Sequence, residues 1–251
     1  MAASSAALLA AGAVLSGSVD LRAVLVGGAA FVGLGAVYDL LLTTVRSGDR
    51  AIRQEMRDLW GLAHVAHDGR PWPAPGGWAL GADALAMLIR EMRARDSRTV
   101  LELGPGTSSV VIGAARVGPL RMIGLEHDER YVTAVAQQLA MHGIEYDLIH
   151  APLRSVRCRG RDVSWYDPAA LERVPSSLDV LIVDGPVNWD GGGNRSPAWP
   201  LLRERLRAGA LVVVDDTERP DERAMVDEWL RGGGLRVLQD SGSFVALEVV
   251  G

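Results

Sequence analysis

Val100-Leu101-Glu102-Leu103-Gly104-Pro105-Gly106-Thr107-Ser108-Ser109 is an apolar run that enters a glycine turn and leaves it as a small-residue helix start. Further on, a second apolar run ends in an acid, Ile123-Gly124-Leu125-Glu126. A strand, a glycine turn, a helix and a second acid-tipped strand describe a nucleoside-binding βαβ unit. Outward from this unit, apolar runs alternate with helical periodicity. Strands are expected at 99–103, 121–125, 146–149, 179–183, 210–214 and 243–249. Helices are expected at 82–95, 107–116, 128–142, 198–207 and 219–231. That alternation predicts an α/β fold with a doubly wound, mostly parallel sheet.

The turn does not suit a dinucleotide. Ser109 stands where the third glycine of G-x-G-x-x-G permits close pyrophosphate contact. An acid, Glu102, lies inside the strand end, where it can meet a cationic ligand group. The pattern therefore favours S-adenosylmethionine (SAM) over NAD. Gly104 and Gly106, with Pro105 between them, let backbone approach the methionine tail. The helix start at Thr107-Ser108 turns N–H groups toward its carboxylate. Glu126, followed by His127, is placed to accept the ribose hydroxyls. The third strand ends His150-Ala151-Pro152-Leu153, beside the expected adenine.

Two more strands end in carboxylates, Val183-Asp184-Gly185-Pro186 and Val214-Asp215-Asp216. In an open α/β sheet these converge beyond the carboxyl ends of the strands. Three unpaired carboxylates repel, so a divalent cation is a natural partner, and oxygen ligands suit Mg2+ rather than zinc. The alternative is that Asp215 and Asp216 cap the next helix or pair with Arg219. Asp184, His150 and Arg195 are the catalytic candidates. Arg195, on the glycine-rich loop 190–196, is expected to close over substrate, with Trp165, Trp189 and Trp199 as apolar walls. His127 is a further candidate base.

The 251 residues carry a net charge of −5 and no lysine, which argues against nucleic acid and excludes Schiff-base chemistry. Cys158 is the one cysteine, so no internal disulfide forms. Residues 2–19 and 23–38 are uncharged. A membrane helix needs roughly 20 apolar residues. Residues 1–46 are accordingly expected to form an apolar helical hairpin and to anchor the chain in a membrane through residues 2–45. Arg46, Arg50, Arg53 and Arg57 follow and would keep the downstream domain cytoplasmic. A signal peptide or a packing hairpin are the alternatives. Residues 47–78 are read as an amphipathic connector helix and a Pro/Trp loop, and 79–251 as the SAM-binding domain.

From Trp78 onward the sequence resembles class I SAM-dependent methyltransferases. The resemblance rests on Val100–Ser109, Glu126-His127-Asp128, Ala151-Pro152-Leu153, Val183-Asp184-Gly185-Pro186 and Asp215-Asp216. It implies a seven-stranded Rossmann-like methyltransferase sheet. The Asp184 and Asp215-Asp216 pattern is similar to that of metal-dependent O-methyltransferases of catechol and macrolide-sugar type. In those families the matching carboxylates hold Mg2+ against substrate hydroxyls. The chain departs from them in lacking a lysine after Asp184 and in having Asp216 where an Asn is common. The resemblance implies O-methylation of a hydroxylated small molecule, sugar or lipid-linked glycan precursor. A non-catalytic SAM-binding module and a nucleotide-dependent oxidoreductase are the competing readings.

Overall fold

A computed structural model describes residues 80–115, 118–187 and 195–251, together with Ile52, Met56 and Trp60–Leu62. The chain divides into two compact units, Met1–Met56 and Arg57–Gly251. The expected hairpin at 1–46, its membrane segment and the loop at 67–78 lie outside the described residues. Among the described residues, no helix is long and apolar enough to cross a membrane.

In the second unit, α1 (Ala82–Ala94) precedes β1 (Thr99–Leu103), α2 (Thr107–Ala114), β2 (Arg121–Glu126), α3 (Glu129–Met141) and β3 (Asp147–His150). A hairpin of β4 (Leu153–Cys158) and β5 (Arg161–Tyr166) follows. Then come β6 (Leu178–Val183), a short α4 (Ala198–Leu202), β7 (Leu206–Val214), α5 (Pro220–Arg231), β8 (Leu235–Asp240) and β9 (Val245–Val249). The main sheet has seven strands in the order β3-β2-β1-β6-β7-β9-β8. β3, β2, β1, β6 and β7 run parallel, and β9 is antiparallel to both β7 and β8.

The central strands are buried on both faces, so their sequences read as continuous apolar runs. Alternate residues still serve different layers. Leu101, Leu103, Leu181, Val183, Val212 and Val214 enter one core with Trp229 of α5. Val100, Val180, Ile182, Leu211 and Val213 enter the other with Leu85, Leu88, Ile89 and Met92 of α1. Leu62 also packs into this second core. The i, i+3, i+4, i+7 spacing of those α1 residues is one helix face.

Three expectations change. The hairpin was not anticipated, although Arg159 and Gly160 at its tip both take positive φ, as a two-residue connection requires. β8 is a half-exposed edge strand, and its polar alternation hid it. The helix expected at 198–207 ends at Leu202 and passes through a 3-10 turn at Arg203–Arg205, because Leu206 already pairs with Leu178 of β6.

The entry to β1 is pinned by Asp179 of β6. Its Oδ2 accepts the backbone N–H groups of Arg98 (2.6 Å) and Thr99 (2.9 Å), and its Oδ1 pairs with Arg207. Burial pushes this carboxyl up, but Arg207 and the two N–H donors outweigh it and hold it below the usual aspartate range. Asp179→Ala is expected to cost about 3 kcal/mol in denaturant unfolding, since it strands two N–H groups and a guanidinium. The folded pKa is depressed. The wild-type advantage is therefore full above the ordinary aspartate pKa and shrinks as pH falls through it, so the two proteins converge in acid.

Candidate active site

The strand order reverses between β1 and β6. The chain leaves β1 toward β2 on one side and returns through β6 on the other, which opens a crevice at their carboxyl ends. Leu103 and Val183 are paired in register, so the turns beginning at Gly104 and Asp184 lie side by side. Gly104 has φ +84°, and a Cβ there would stand 3.0 Å from the Gly185 nitrogen. A Cβ on Gly185 would stand 2.9 Å from the Gly104 Cα. Neither turn tolerates a side chain.

A cleft of about 230 Å3 opens at this junction. Its lining includes Gly104, Glu126, His127, Tyr131, Tyr166, Asp184, Arg195, Asp215, Asp216 and Arg219. Of the expected cofactor residues, Gly104, Glu126, His127 and Asp184 therefore face it. Pro105, Gly106, Ser108 and Ala151 are not among the lining residues. Ala151 is buried, and its N–H donates to the Glu126 carbonyl at 2.7 Å. His150 is exposed at the end of β3, its Nε2 set 3.1 Å from the His127 carbonyl, and it does not line the cleft either.

Glu102 is fully buried beneath the glycine turn. It accepts hydroxyl hydrogen bonds from Ser108, Ser109 and Tyr146, the last at 2.8 Å. Ser109 Oγ in turn accepts the Gly106 N–H at 3.0 Å. Burial raises the Glu102 pKa, and the three hydroxyls oppose the rise. Glu102 thus braces the turn from below and is not among the residues lining the cleft.

Glu126 ends β2 almost fully buried, and its Oε1 accepts the N–H groups of His127 (2.7 Å) and Asp128 (2.8 Å). Nδ1 of His127 lies 2.9 Å from the same oxygen, close enough for an ion pair but out of line for a hydrogen bond. Glu126 raises the His127 pKa. Asp128 caps α3 by accepting the Arg130 N–H, so the whole segment after β2 is held by its own acids.

The opposite end of the cleft is acidic. Oxygens of Asp184, Asp215 and Asp216 lie within 4.8 Å of one another, a donor set chemically suited to Mg2+. Burial, then the neighbouring Asp215, drives the Asp184 pKa well above its ordinary value. Burial and Asp216 push Asp215 up to about 6. The cluster also contains arginine. Arg195 is 3% exposed, with Nη2 2.8 Å from Asp216 Oδ2 and 3.5 Å from Asp184 Oδ1. Arg219 reaches Asp216 Oδ2 at 2.9 Å, as the helix-side alternative anticipated. Arg195 is a buried member of the cluster here, whereas the sequence suggested a residue of a closing loop. Trp165 and Trp199 belong to the core beside Trp229 and supply no cleft wall, and Trp189 lies outside the described residues.

Tyr131 and Tyr166 line the cleft without having been singled out from sequence. Tyr131 follows from α3 amphipathicity once Glu126 is placed. Tyr166 comes from the unanticipated hairpin, so its position had no sequence signal. Its ring is fully buried, edge-on to Trp165 and 6.4 Å from His127, and its hydroxyl has no hydrogen-bond partner among the described residues. Burial first, then the charge of Glu126, lifts its pKa well above 10, so it stays a proton donor.

No protein-family model matches the chain, and no curated protein sequence does. Solved structures do. The SAH-bound methyltransferase PaMTH1 of Podospora anserina shares 14% identity at TM-score 0.57, covering 82% of this chain and 96% of that one. A precorrin-6y C5,15-methyltransferase of Geobacter metallireducens shares 14% at 0.53, covering 74% and 98%. An SAH-bound O-methyltransferase of Bacillus cereus shares 15% at 0.50, covering 78% and 90%. At such identities the likeness is one of fold, and the fold is that of class I SAM-dependent methyltransferases.

Two variants probe this geometry. Gly185→Ala is expected to push the β1 and β6 turns apart, lowering the melting temperature and abolishing ligand binding in the cleft by calorimetry. Tyr166→Phe removes an unsatisfied buried hydroxyl. It should leave the unliganded protein as stable or more so, yet weaken a ligand that partners the hydroxyl by on the order of tenfold.

Proposed function

We propose that the chain is a SAM-dependent methyltransferase that methylates a hydroxyl of a small molecule, sugar or lipid-linked glycan precursor. The observation that carries this reading is one cleft, at the switch point of a methyltransferase fold, with Glu126 at one end and the Asp184, Asp215 and Asp216 carboxylates at the other. Glu126, already anchored through Oε1, suits a ribose diol.

The acceptor oxygen attacks the methyl carbon along the S–CH3 axis. The O–CH3 bond forms, the S–CH3 bond breaks, and S-adenosylhomocysteine leaves as a neutral thioether. Alignment supplies much of the rate. The hydroxyl proton passes to a cleft carboxylate. Burial and neighbouring carboxylates raise the pKa of Asp184 and push Asp215 up to about 6, which makes either a stronger base than an ordinary aspartate once ionised, and His127 stands nearby as an alternative. Asp184, Asp215 and Asp216 are also the residues that would hold Mg2+ if Arg195 left Asp184 and Asp216, and the ion would then acidify and orient the acceptor hydroxyl. His150, outside the cleft lining, is left with a backbone-bracing role toward the His127 carbonyl.

Residues 2–45 are proposed to hold the domain at the cytoplasmic face of a membrane, within reach of a lipid-linked acceptor. Extraction of the full chain into aqueous buffer without detergent, as a monodisperse species, would overturn the anchor.

Calorimetry of the full chain with SAM and, in parallel, NAD tests the cofactor. SAM is expected to bind and NAD is not; a folded sample that ignores SAM sinks the proposal. Glu126→Gln should weaken SAM by at least about tenfold, because it replaces a charge-assisted pair of ribose contacts. Asp215→Asn should keep SAM affinity and lose turnover by on the order of a hundredfold.

A further inference from the structure

We propose that Arg195 is the resident counterion of the Asp184, Asp215 and Asp216 cluster and excludes divalent cations from it in the substrate-free protein. This rests on the geometry of the cluster alone and holds whichever acceptor the cleft takes.

The guanidinium is built in. Nη2 donates to the Asp184 carbonyl at 2.7 Å and to Asp216 Oδ2 at 2.8 Å, and stands 3.5 Å from Asp184 Oδ1. Nη1 donates to the Asp215 carbonyl at 3.2 Å. One planar fork thus ties the ends of β6 and β7 together through two carbonyls and two carboxylates. Arginine suits such a place because its charge never dissociates and its donors are fixed in one plane. Nε is buried with no partner among the described residues, so Nη1 and Nη2 carry the attachment.

A divalent ion would compete for the same carboxylates. Mg2+ requires oxygen ligands at about 2.1 Å in near-octahedral array. Asp184 Oδ1 and Asp216 Oδ2 are the oxygens that Arg195 already shares. A metal between them would face a guanidinium at a few ångströms, with too little water between to screen it. The charge balance points the same way. Three carboxylates are opposed by Arg195 and Arg219, which leaves a single net negative charge rather than three. The oxygen donors suit a metal, but Arg195 occupies two of them.

The competition is read directly as metal affinity. The SAM-free full chain is titrated calorimetrically with Mn2+ and with Mg2+, comparing wild type, Arg195→Met and Arg219→Met. Wild type should take up either ion weakly. Arg195→Met should bind on the order of tenfold tighter or more, because one point charge is removed from the ligand oxygens. Arg219→Met should change affinity less, since Arg219 is half exposed and reaches Asp216 alone. Equal affinity in wild type and in folded Arg195→Met overturns the proposal. So does micromolar uptake by wild type. If Arg195→Met does not fold, Arg195→Lys carries the comparison. Its ammonium cannot span the same four acceptors, so it should bind metal tighter than wild type, and no change overturns the proposal. Because the titration contains no SAM, its failure leaves the methyltransferase reading standing, and a failure of SAM binding leaves this result standing.

Discussion

The backbone contact between Gly104 and Gly185 is the constraint on which the rest of the site depends. Two turns from strands adjacent in the sheet but far apart in sequence meet with no room for a Cβ on either. That contact sets where β1 ends, where β6 ends and how far apart the elements flanking the cleft can stand. Glu102 acts on the same contact from beneath. Its three hydroxyl partners hold the first glycine turn in a shape that the backbone of Leu103–Gly106 would not keep unaided. A carboxylate that sequence suggests for the ligand also fixes the glycine turn from beneath.

Charge is arranged with the same economy. Glu126 and the Asp184 cluster occupy opposite ends of one cleft, and each is compensated differently. Glu126 is met by two backbone N–H groups and His127, which keeps an anionic acceptor in place without a permanent counter-charge. The three aspartates are met by two arginines, one of them buried. A neutral diol can displace water from the first end. At the second end an entering group meets Asp215, whose pKa of about 6 lets it exchange a proton near neutral pH.

Much of this was legible in the sequence. The apolar runs ending in Glu102-Leu103-Gly104, Glu126, Asp184 and Asp215-Asp216 mark four strands, and the acids at or just beyond their ends mark the carboxyl edge. What escaped reading depends on long-range partners. The alternation of Val156, Cys158 and Trp165 is masked by four arginines in the hairpin 153–166, so Tyr166 had no predicted position. The role of Glu102 depends on Tyr146, which lies in a different βα unit. The setting of Arg195 depends on Asp184 and Asp216, and nothing in a glycine-rich loop indicates that its arginine will be buried.

Asp216 shows how far the fold goes to keep the cluster paired. Its φ is +61°, a left-handed conformation that costs a residue with a Cβ about 1 kcal/mol. Aspartate tolerates this better than most residues, and here the turn has a consequence. It places Asp216 Oδ2 where both Arg195 and Arg219 reach it, while its carbonyl accepts the Arg219 N–H at 2.9 Å. The local strain is therefore offset by two ion pairs. The same turn that follows β7 starts α5, so the cluster, the helix and the edge of the cleft are fixed by one residue.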